Sequence, residues 1–225
     1  MITAIIQARM QATRLPNKVL LLLGKKTVLE NVIGRVKQAN LVNKIVVATS
    51  TEIADDQIYN LCKKIKVDCF RGSLNDVLDR YYQAALQYNA TDICRITSDC
   101  PLIDPKVIDQ VIEIYLSKRY DFVSNSHPVA TYPDGFDVWV FSFQALKKAW
   151  QDAKLPSERE HVTSYIWNNP NKFKIYNLKN KVDQSHYRLT IDEEKDYKLL
   201  KRIFSEVKDL TTENILRFLD NNQEI

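Results

Sequence analysis

Four times between Met1 and Leu116 a short apolar run gives way to a stretch with helical periodicity. The runs are Met1–Ile6, Lys44–Thr49, Val67–Phe70 and Asp92–Thr97. Behind them, apolar residues recur at helical spacing: Leu29, Val32, Ile33, Val36; then Ile58, Leu61, Cys62, Ile65; then Val77, Leu78, Tyr81, Ala85; then Val107, Ile108, Val111, Ile112. Strands buried on both faces read as near-continuous apolar runs, and joining them in parallel needs helical crossovers. The pattern therefore predicts a mostly parallel sheet covered on both faces. Two helix starts carry their own signals. Thr27 and Glu30 have the spacing of a capping box, and Asp104 precedes Pro105 as a cap precedes a first helical residue.

The rhythm changes after about Asp121. Phe122–Ser124, the turn Tyr132-Pro133-Asp134-Gly135 and Phe136–Phe141 read as strand, turn and strand. Ser142 opens a helix through Leu146 and Trp150, and Ser157 with Glu160 predicts a second capping box for a helix through Val162 and Ile166. Phe173–Leu178 and Tyr187–Ile191 are expected as strands, followed by two closing helices on Tyr197, Leu200, Ile203 and Phe204 and on Ile215, Leu216 and Leu219. No repeat or flexible linker divides the 225 residues, so one α/β domain of Rossmann-like type, residues 1–225, is expected. With 4 glycines there is no glycine-rich phosphate loop, and the usual dinucleotide fingerprint is missing.

Charge and cysteine usage narrow the function. A net charge of +4, spread along the chain without aromatic interleaving, argues against a nucleic-acid binder. No apolar run is long enough for a bilayer, and the N-terminus enters a strand without a signal-peptide pattern, so no membrane partner is expected. Cys62, Cys69, Cys94 and Cys100 form no C-x-x-C pair, and 3 histidines make a zinc site improbable. A reducing, cytoplasmic setting follows.

The chemistry concentrates where the first strand ends. Ile5–Lys18 reads I-I-Q-A-R-M-Q-A-T-R-L-P-N-K and supplies Arg9, Arg14 and Lys18 within ten residues. Ligands of open α/β sheets bind at the carboxyl ends of strands, and three cations there suit a triphosphate. A solvated basic loop is the competing reading, but Met10, Ala12, Leu15 and Pro16 are poor choices for one. Asp99 follows the Asp92–Thr97 strand in a loop stiffened by Pro101, where a carboxylate can hold Mg²⁺ on nucleotide phosphates. Asp192 offers a second carboxylate after a late strand. Asp is also common in turns and helix caps, and Asp192 opens an acidic run that suits a helix N-terminus, so that reading stays open for both.

Five segments in order resemble the spore-coat-polysaccharide cytidylyltransferases of SpsF type, grouped with acylneuraminate and 3-deoxy-manno-octulosonate cytidylyltransferases. They are Ile5–Lys18, Phe70–Arg80 (F-R-G-S-L-N-D-V-L-D-R), Arg95–Asp104 (R-I-T-S-D-C-P-L-I-D), Tyr132–Phe141 and Leu155–Ile166 (L-P-S-E-R-E-H-V-T-S-Y-I). The resemblance implies a GT-A-like three-layer sandwich with a small strand-helix insertion. It also implies a homodimer, with about 125–180 as an acceptor and dimerisation subregion. The implied reaction puts CMP from CTP on a sugar acid for polysaccharide biosynthesis, with Mg²⁺ as cofactor and pyrophosphate released. Matched to the family's motifs, Arg9, Arg14 and Lys18 grip the triphosphate and act in catalysis. Ala8, Arg71, Ser73 and Ser98 join them in nucleotide binding, with Arg71 and Ser73 in the base-contacting segment. Asp99 and Asp192 are the implied metal ligands. Asp137, Arg159 and His161 are the acceptor candidates, with packing or dimer roles open for the last two. Glu160 is assigned to the capping box, and His127 and His186 to core or surface.

The chain departs from the related motif A-R-M-G-S-T-R-L-P-G-K at Gln11, Ala12 and Asn17, and from the late V-D-x-P-E-D motif by lacking its proline. Trp139 stands where an acidic residue is common. Two alternatives accompany the main reading: a nucleotide-sugar-dependent glycosyltransferase, and a nucleotide-binding module that has lost catalysis. Against the former, no D-x-D pair is present near Asp99, whose nearest carboxylate partner in sequence is Asp104.

Overall fold

The computed structural model describes residues 1–117 and 119–222. In chain order the elements are β1 (Ile2–Gln7), β2 (Leu22–Leu23), β3 (Lys26–Thr27), α1 (Val28–Val36), β4 (Lys44–Ser50), α2 (Asp56–Lys64), β5 (Asp68–Gly72), α3 (Val77–Gln87) and β6 (Asp92–Thr97). There follow α4 (Pro105–Leu116), β7 (Phe122–Ser124), β8 (Trp139–Ser142), α5 (Phe143–Asp152), α6 (Pro156–Glu160), α7 (Ser164–Trp167), β9 (Ile175–Asn177), α8 (Glu194–Glu206) and α9 (Thr212–Asp220).

Seven strands form the central sheet in the order β5-β4-β1-β6-β8-β7-β9, and β2 pairs with β3 as a small hairpin. β1 runs parallel to β4 and β6, β4 to β5, and β7 to β9; β8 is antiparallel to both its neighbours. Side chains alternate across β1. Ala4 and Ile6 pack into the core under α1, α2, α4, α8 and α9, whereas Ile5 faces the core under α3 and α5. Two cores on opposite faces of one sheet make the three layers expected from the alternation. The helix signals also hold. Thr27 and Glu30 exchange capping-box hydrogen bonds, and Asp104 caps α4 by accepting from Lys106 N at 2.8 Å.

The strand order explains where a ligand can sit. From β1 the chain steps outward to β4 and β5, and α3 then carries it back to β6 on the other flank of β1. Winding thus reverses between β1 and β6, and at such a switch point the loops leaving two adjacent strands diverge into a crevice. Gln7 and Thr97 are register partners at that edge, and Ser98 N donates to Gln7 O at 3.2 Å.

Three sequence expectations need correction. Phe136–Val138 is not strand; β8 begins only at Trp139. The buried Asn125 amide stands in for a neighbouring strand there, donating to Phe136 O and accepting from Val138 N, each at 2.8 Å. Tyr187–Ile191 forms no ladder, only an isolated bridge between Arg188 and Asp134. Its amides go to loops instead, Leu189 N to Asp134 O at 2.7 Å and Ile191 N to Asp99 O at 2.9 Å. Finally, Ser157 and Glu160 do not form a capping box. Pro156 takes the first helical position, so the cap falls on Leu155, and Glu158 accepts from the amides of Lys154 and Leu155. That helix ends at Glu160, and the buried Val162, at φ 48°, turns the chain before α7 begins. A β-branched residue at positive φ is rare, and here the break leaves Glu160 and His161 on the rim of a cavity.

Candidate active site

A cavity of about 310 Å³ opens at the switch point between β1 and β6. One wall is the loop after β1, which supplies Ala8, Arg9, Arg14 and Lys18. The opposite wall is Ser98 and Asp99 after β6, with Asp192 ahead of α8, and His161 and Glu160 close the rim. Eight of the expected site residues therefore converge although they come from four separate stretches of chain.

The basic loop is held by its backbone. Asp55, 1% exposed, accepts from Met10 N at 2.7 Å and from Ser50 N and Oγ at 3.1 and 2.5 Å, fastening the loop to the end of β4. Met10 O then accepts from the amides of Ala12 and Asn17, both at 2.9 Å. Asn17 occupies the left-handed region at φ 61° and ψ 13°. Asparagine tolerates that conformation better than other residues with a Cβ, so replacing the related sequences' glycine here keeps the loop's path. Gln11 is not among the described residues with positive φ, so its Cβ introduces no backbone strain.

Lys18 is the centre of the charge arrangement. Its ammonium donates to Asp99 Oδ2 at 2.8 Å, Asp192 Oδ1 at 3.0 Å and Ile191 O at 2.6 Å. Burial works against the charged form, but the two carboxylates outweigh it and hold the Lys18 pKa above the ordinary lysine value. Burial likewise opposes ionisation of Asp192, yet Lys18, Arg188 and Arg14 together hold its carboxyl below the usual range. Arg14 is half-exposed and lies 3.3 Å from both Asp192 and Glu193. Among the described residues Arg9 has no carboxylate partner, which leaves its charge available to a ligand.

Two participants escaped the sequence reading. Arg188 bridges three carboxylates, reaching Asp134 Oδ2 at 2.5 Å, Asp192 Oδ2 at 2.7 Å and Asp196 Oδ1 at 3.0 Å. Asp196 in turn accepts from the amides of Asp192 and Glu193 at 2.8 and 2.9 Å, so Asp192 is oriented from its side chain and its backbone. Arg80 is the second. It lines the cavity at 2% exposure, has no carboxylate partner among the described residues, donates from Nη1 to Ser73 O at 2.9 Å and leaves Nε without an acceptor. Burial pulls its pKa down. A guanidinium on the otherwise apolar face of Val77, Leu78 and Tyr81 was the signal that could have found it.

The remaining expected residues lie elsewhere. Arg71 is taken up by Ser50 O, Glu52 O and Asp56, and Ser73 Oγ accepts from Asp76 N; neither lines the cavity. Arg159 donates from Nε and Nη2 to Asp76 and from Nη1 to Trp150 O, a packing role between α3, α5 and α6. Asp137 walls a second cavity.

Asp99 and Asp192, brought within 3.0 Å of one ammonium, are hard oxygen donors facing a cationic wall. Two carboxylates, with phosphate and water for the rest, are a donor set that Mg²⁺ accepts. No group of three His, Cys, Asp or Glu able to hold a metal by itself occurs among the described residues. The pair therefore fits an ion that arrives with its own phosphate oxygens, as a metal–nucleotide does.

A switch-point crevice, a cationic loop and paired carboxylates on a three-layer α/β sandwich define a Rossmann-like nucleotidyltransferase. The chain belongs to the cytidylyltransferase family, whose model matches residues 3–225. It is 32% identical to the spore coat polysaccharide biosynthesis protein SpsF of Bacillus subtilis, over 98% of this chain and 94% of that one. A cytidylyltransferase structure from Leptospira borgpetersenii superposes with a TM-score of 0.94 at 36% identity, covering 99% and 95% of the two chains. The 3-deoxy-manno-octulosonate cytidylyltransferase of Rickettsia felis is 34% identical over 55% of this chain and 50% of its own length.

Proposed function

We propose that this cytidylyltransferase moves CMP from CTP to a sugar acid in the making of a cell-surface polysaccharide, using Mg²⁺ and releasing pyrophosphate. The observation that carries the reading is the convergence of Asp99 and Asp192 on Lys18, beside Arg9 and Arg14, at the switch point. The family and the SpsF likeness support the chemistry, and the octulosonate relatives support an acidic acceptor.

In this reading an acceptor hydroxyl attacks the α-phosphorus in line and pyrophosphate leaves. Arg9 and Arg14 bind the β- and γ-phosphates and balance the charge that grows on the leaving group. Lys18, fixed by three hydrogen bonds, places its positive charge between the carboxylates and the phosphates. Asp99 and Asp192 would hold Mg²⁺, which supplies Lewis-acid stabilisation of the phosphate oxygens. Arg188 and Asp196 keep Asp192 in place. Arg80 adds a buried cation for the nucleotide.

Two further parts belong to the proposal. A reducing cytoplasm agrees with four free thiols among the described residues, and no described helix is long and apolar enough to cross a membrane. A homodimer, with about 125–180 contributing to acceptor binding and dimerisation, rests on the family resemblance, and sedimentation equilibrium measures it directly. The deciding experiment is pyrophosphate release from each of the four nucleoside triphosphates against a panel of sugar acids. CTP should be used at least about a hundredfold better than the others when one acceptor matches. Release from no triphosphate with any acid, or transfer from a nucleotide sugar without pyrophosphate, would remove the reading.

A further inference from the structure

We propose that Cys69 is a peroxide-reactive thiol and Cys62 its resolving partner, so that mild oxidation closes a disulfide between α2 and β5 and weakens the basic loop's hold on the nucleotide. The thiol chemistry is independent of the CMP-transfer reading; only the effect on the nucleotide rests on it.

A helix stop brings the two sulfurs together. α2 ends in a Schellman turn: Lys66 takes the left-handed region at φ 55°, its N–H donates to Lys63 O at 3.2 Å, and Val67 N donates to Cys62 O at 3.0 Å. The turn reverses the chain beside Cys62 and sends it into β5. Cys69 pairs in register with Val47, so the two side chains share one face of the sheet. That face is the one under α2, because Val47 and Cys62, both 0% exposed, belong to the core against which Val67 and Cys69 pack. β5 is the outermost strand, and Cys69 is accordingly only half-buried.

The pair is asymmetric. Hydrogen bonding from the Cys62 thiol to the Cys69 sulfur holds Cys69 below the ordinary cysteine pKa; burial opposes this, the Arg71 cation adds to it and Asp55 works against it. The same contact, and then burial, pushes Cys62 up. The thiolate therefore forms on the reachable partner and the proton stays on the buried one. Phe70 O, at 3.9 Å from the Cys69 sulfur, is too far to hold a proton there firmly. Cys94 and Cys100 are buried, and burial pushes both up, so they remain thiols. A reachable cysteine of lowered pKa beside a second thiol is what peroxides oxidise selectively. The Cys69 thiolate attacks one peroxide oxygen, the O–O bond breaks, and hydroxide leaves a sulfenic acid behind. The Cys62 sulfur then attacks the Cys69 sulfur, and the hydroxyl departs with the Cys62 proton as water. The two sulfurs are oxidised, the peroxide is reduced, and a dithiol returns both thiols.

The other end of α2 holds the basic loop. Asp55, immediately before the helix, accepts from Met10 N at 2.7 Å, and Asp56 in its first turn pairs with Arg71 of β5 at 2.6 Å. α2 has 9 residues, so it is about 13 Å long and short enough to shift as one piece. Thiols that only touch must approach further to bond, which draws the Cys62 end of α2 toward β5. The Asp55 end then shifts against Met10, and the loop carrying Arg9 and Arg14 loses its fixed position.

The test is peptide mapping by mass spectrometry on the full chain after graded hydrogen peroxide, with the remaining thiols alkylated. A peptide cross-linked through Cys62 and Cys69 should appear first, with Cys94 and Cys100 still alkylated, and dithiothreitol should remove it. Without peroxide, iodoacetamide at pH 7 should label Cys69 at least about tenfold faster than any other cysteine. Cys62→Ala should stop the reaction at a sulfenic acid on Cys69, which dimedone traps. Calorimetric titration of the cross-linked chain should show CTP bound about fivefold or more weaker, with dithiothreitol restoring it. No cross-linked peptide, or labelling of Cys94 or Cys100 ahead of Cys69, would overturn the pairing. Unchanged CTP affinity in the fully cross-linked chain would overturn the link to the loop. Failure of the reduced chain to bind CTP would remove the CMP-transfer reading and the effect on the nucleotide with it, whereas the cross-link would still uphold the thiol pair.

Discussion

Lys18 and Asp99 meet with 2.8 Å between Nζ and Oδ2, although 81 residues separate them in the chain. The contact joins the loop after β1 to the loop after β6, the two loops that parallel pairing sets side by side. It makes Asp99 the first residue to change. Asp99→Asn keeps the size and the hydrogen-bonding oxygen but removes the charge. Pyrophosphate release should fall about 10²–10³-fold, the scale of losing one preorganised charge contact, with CTP binding in the absence of metal little affected. Unchanged turnover in Mg²⁺ would show that Asp99 does not serve the metal.

Arg80 gives a prediction whose two halves pull apart. A buried cation without a carboxylate partner costs folding free energy, and a residue kept only for packing would not carry that cost. Arg80→Met should therefore leave the thermal midpoint unchanged or raise it, while CTP affinity drops by roughly tenfold or more. A lower midpoint with unaltered CTP affinity would assign Arg80 to the core instead.

The contrast between what the chain announces and what it hides follows the range of the interactions. The β1, β4, β5 and β6 strands and their helices were legible because period and capping are local, as at Thr27 with Glu30 and Asp104 with Pro105. The basic loop and Asp99 were legible because each directly follows such a strand. Asn125 bracing Phe136–Val138, Asp55 holding Met10, and Arg188 collecting carboxylates 4, 8 and 54 residues away were not. Each of these polar groups makes its bonds outside any regular ladder or helix turn, and no periodicity records that. Arg159, open in sequence between acceptor contact and packing, is engaged in the same long-range way: its fork fits a carboxylate well, and the carboxylate it holds is Asp76 of the same chain.

Asp137 should leave a mark on the pH dependence of stability. Its folded pKa is raised to about 7, first by burial and then by Asp134, so the folded state binds more protons than the unfolded one between roughly pH 4 and 7. Stability contributed by this group falls as pH rises through that window and is lowest above it. Asp192 and Asp196, both depressed, act in the opposite sense, adding stability that is lost as pH falls through their folded pKa values below the usual carboxylate range. Urea unfolding at intervals from pH 4 to 8 should show the Asp137 contribution as a slope that Asp137→Asn removes. An identical slope in the variant would mean that the carboxyl titrates normally.

Gly135 ties the second cavity's wall to the first cavity's carboxylate. It sits at φ 107°, and a Cβ built there would lie 2.8 Å from the Leu189 carbonyl carbon, which is backbone and cannot swing aside. The same close approach sets Leu189 N on Asp134 O, and so brings Arg188 between Asp134 and Asp192. Gly135→Ala should cost about 1–3 kcal/mol of stability from the backbone alone. It should also loosen Asp192, raising the Mg²⁺ concentration needed for half-maximal turnover by about 10–100-fold, as when an outer partner of a metal ligand is lost. Arg188→Gln separates the two effects, because it leaves the backbone intact. It should reproduce the Mg²⁺ shift with a smaller loss of stability, and a normal Mg²⁺ requirement in that variant would mean that Asp192 needs no help from Arg188.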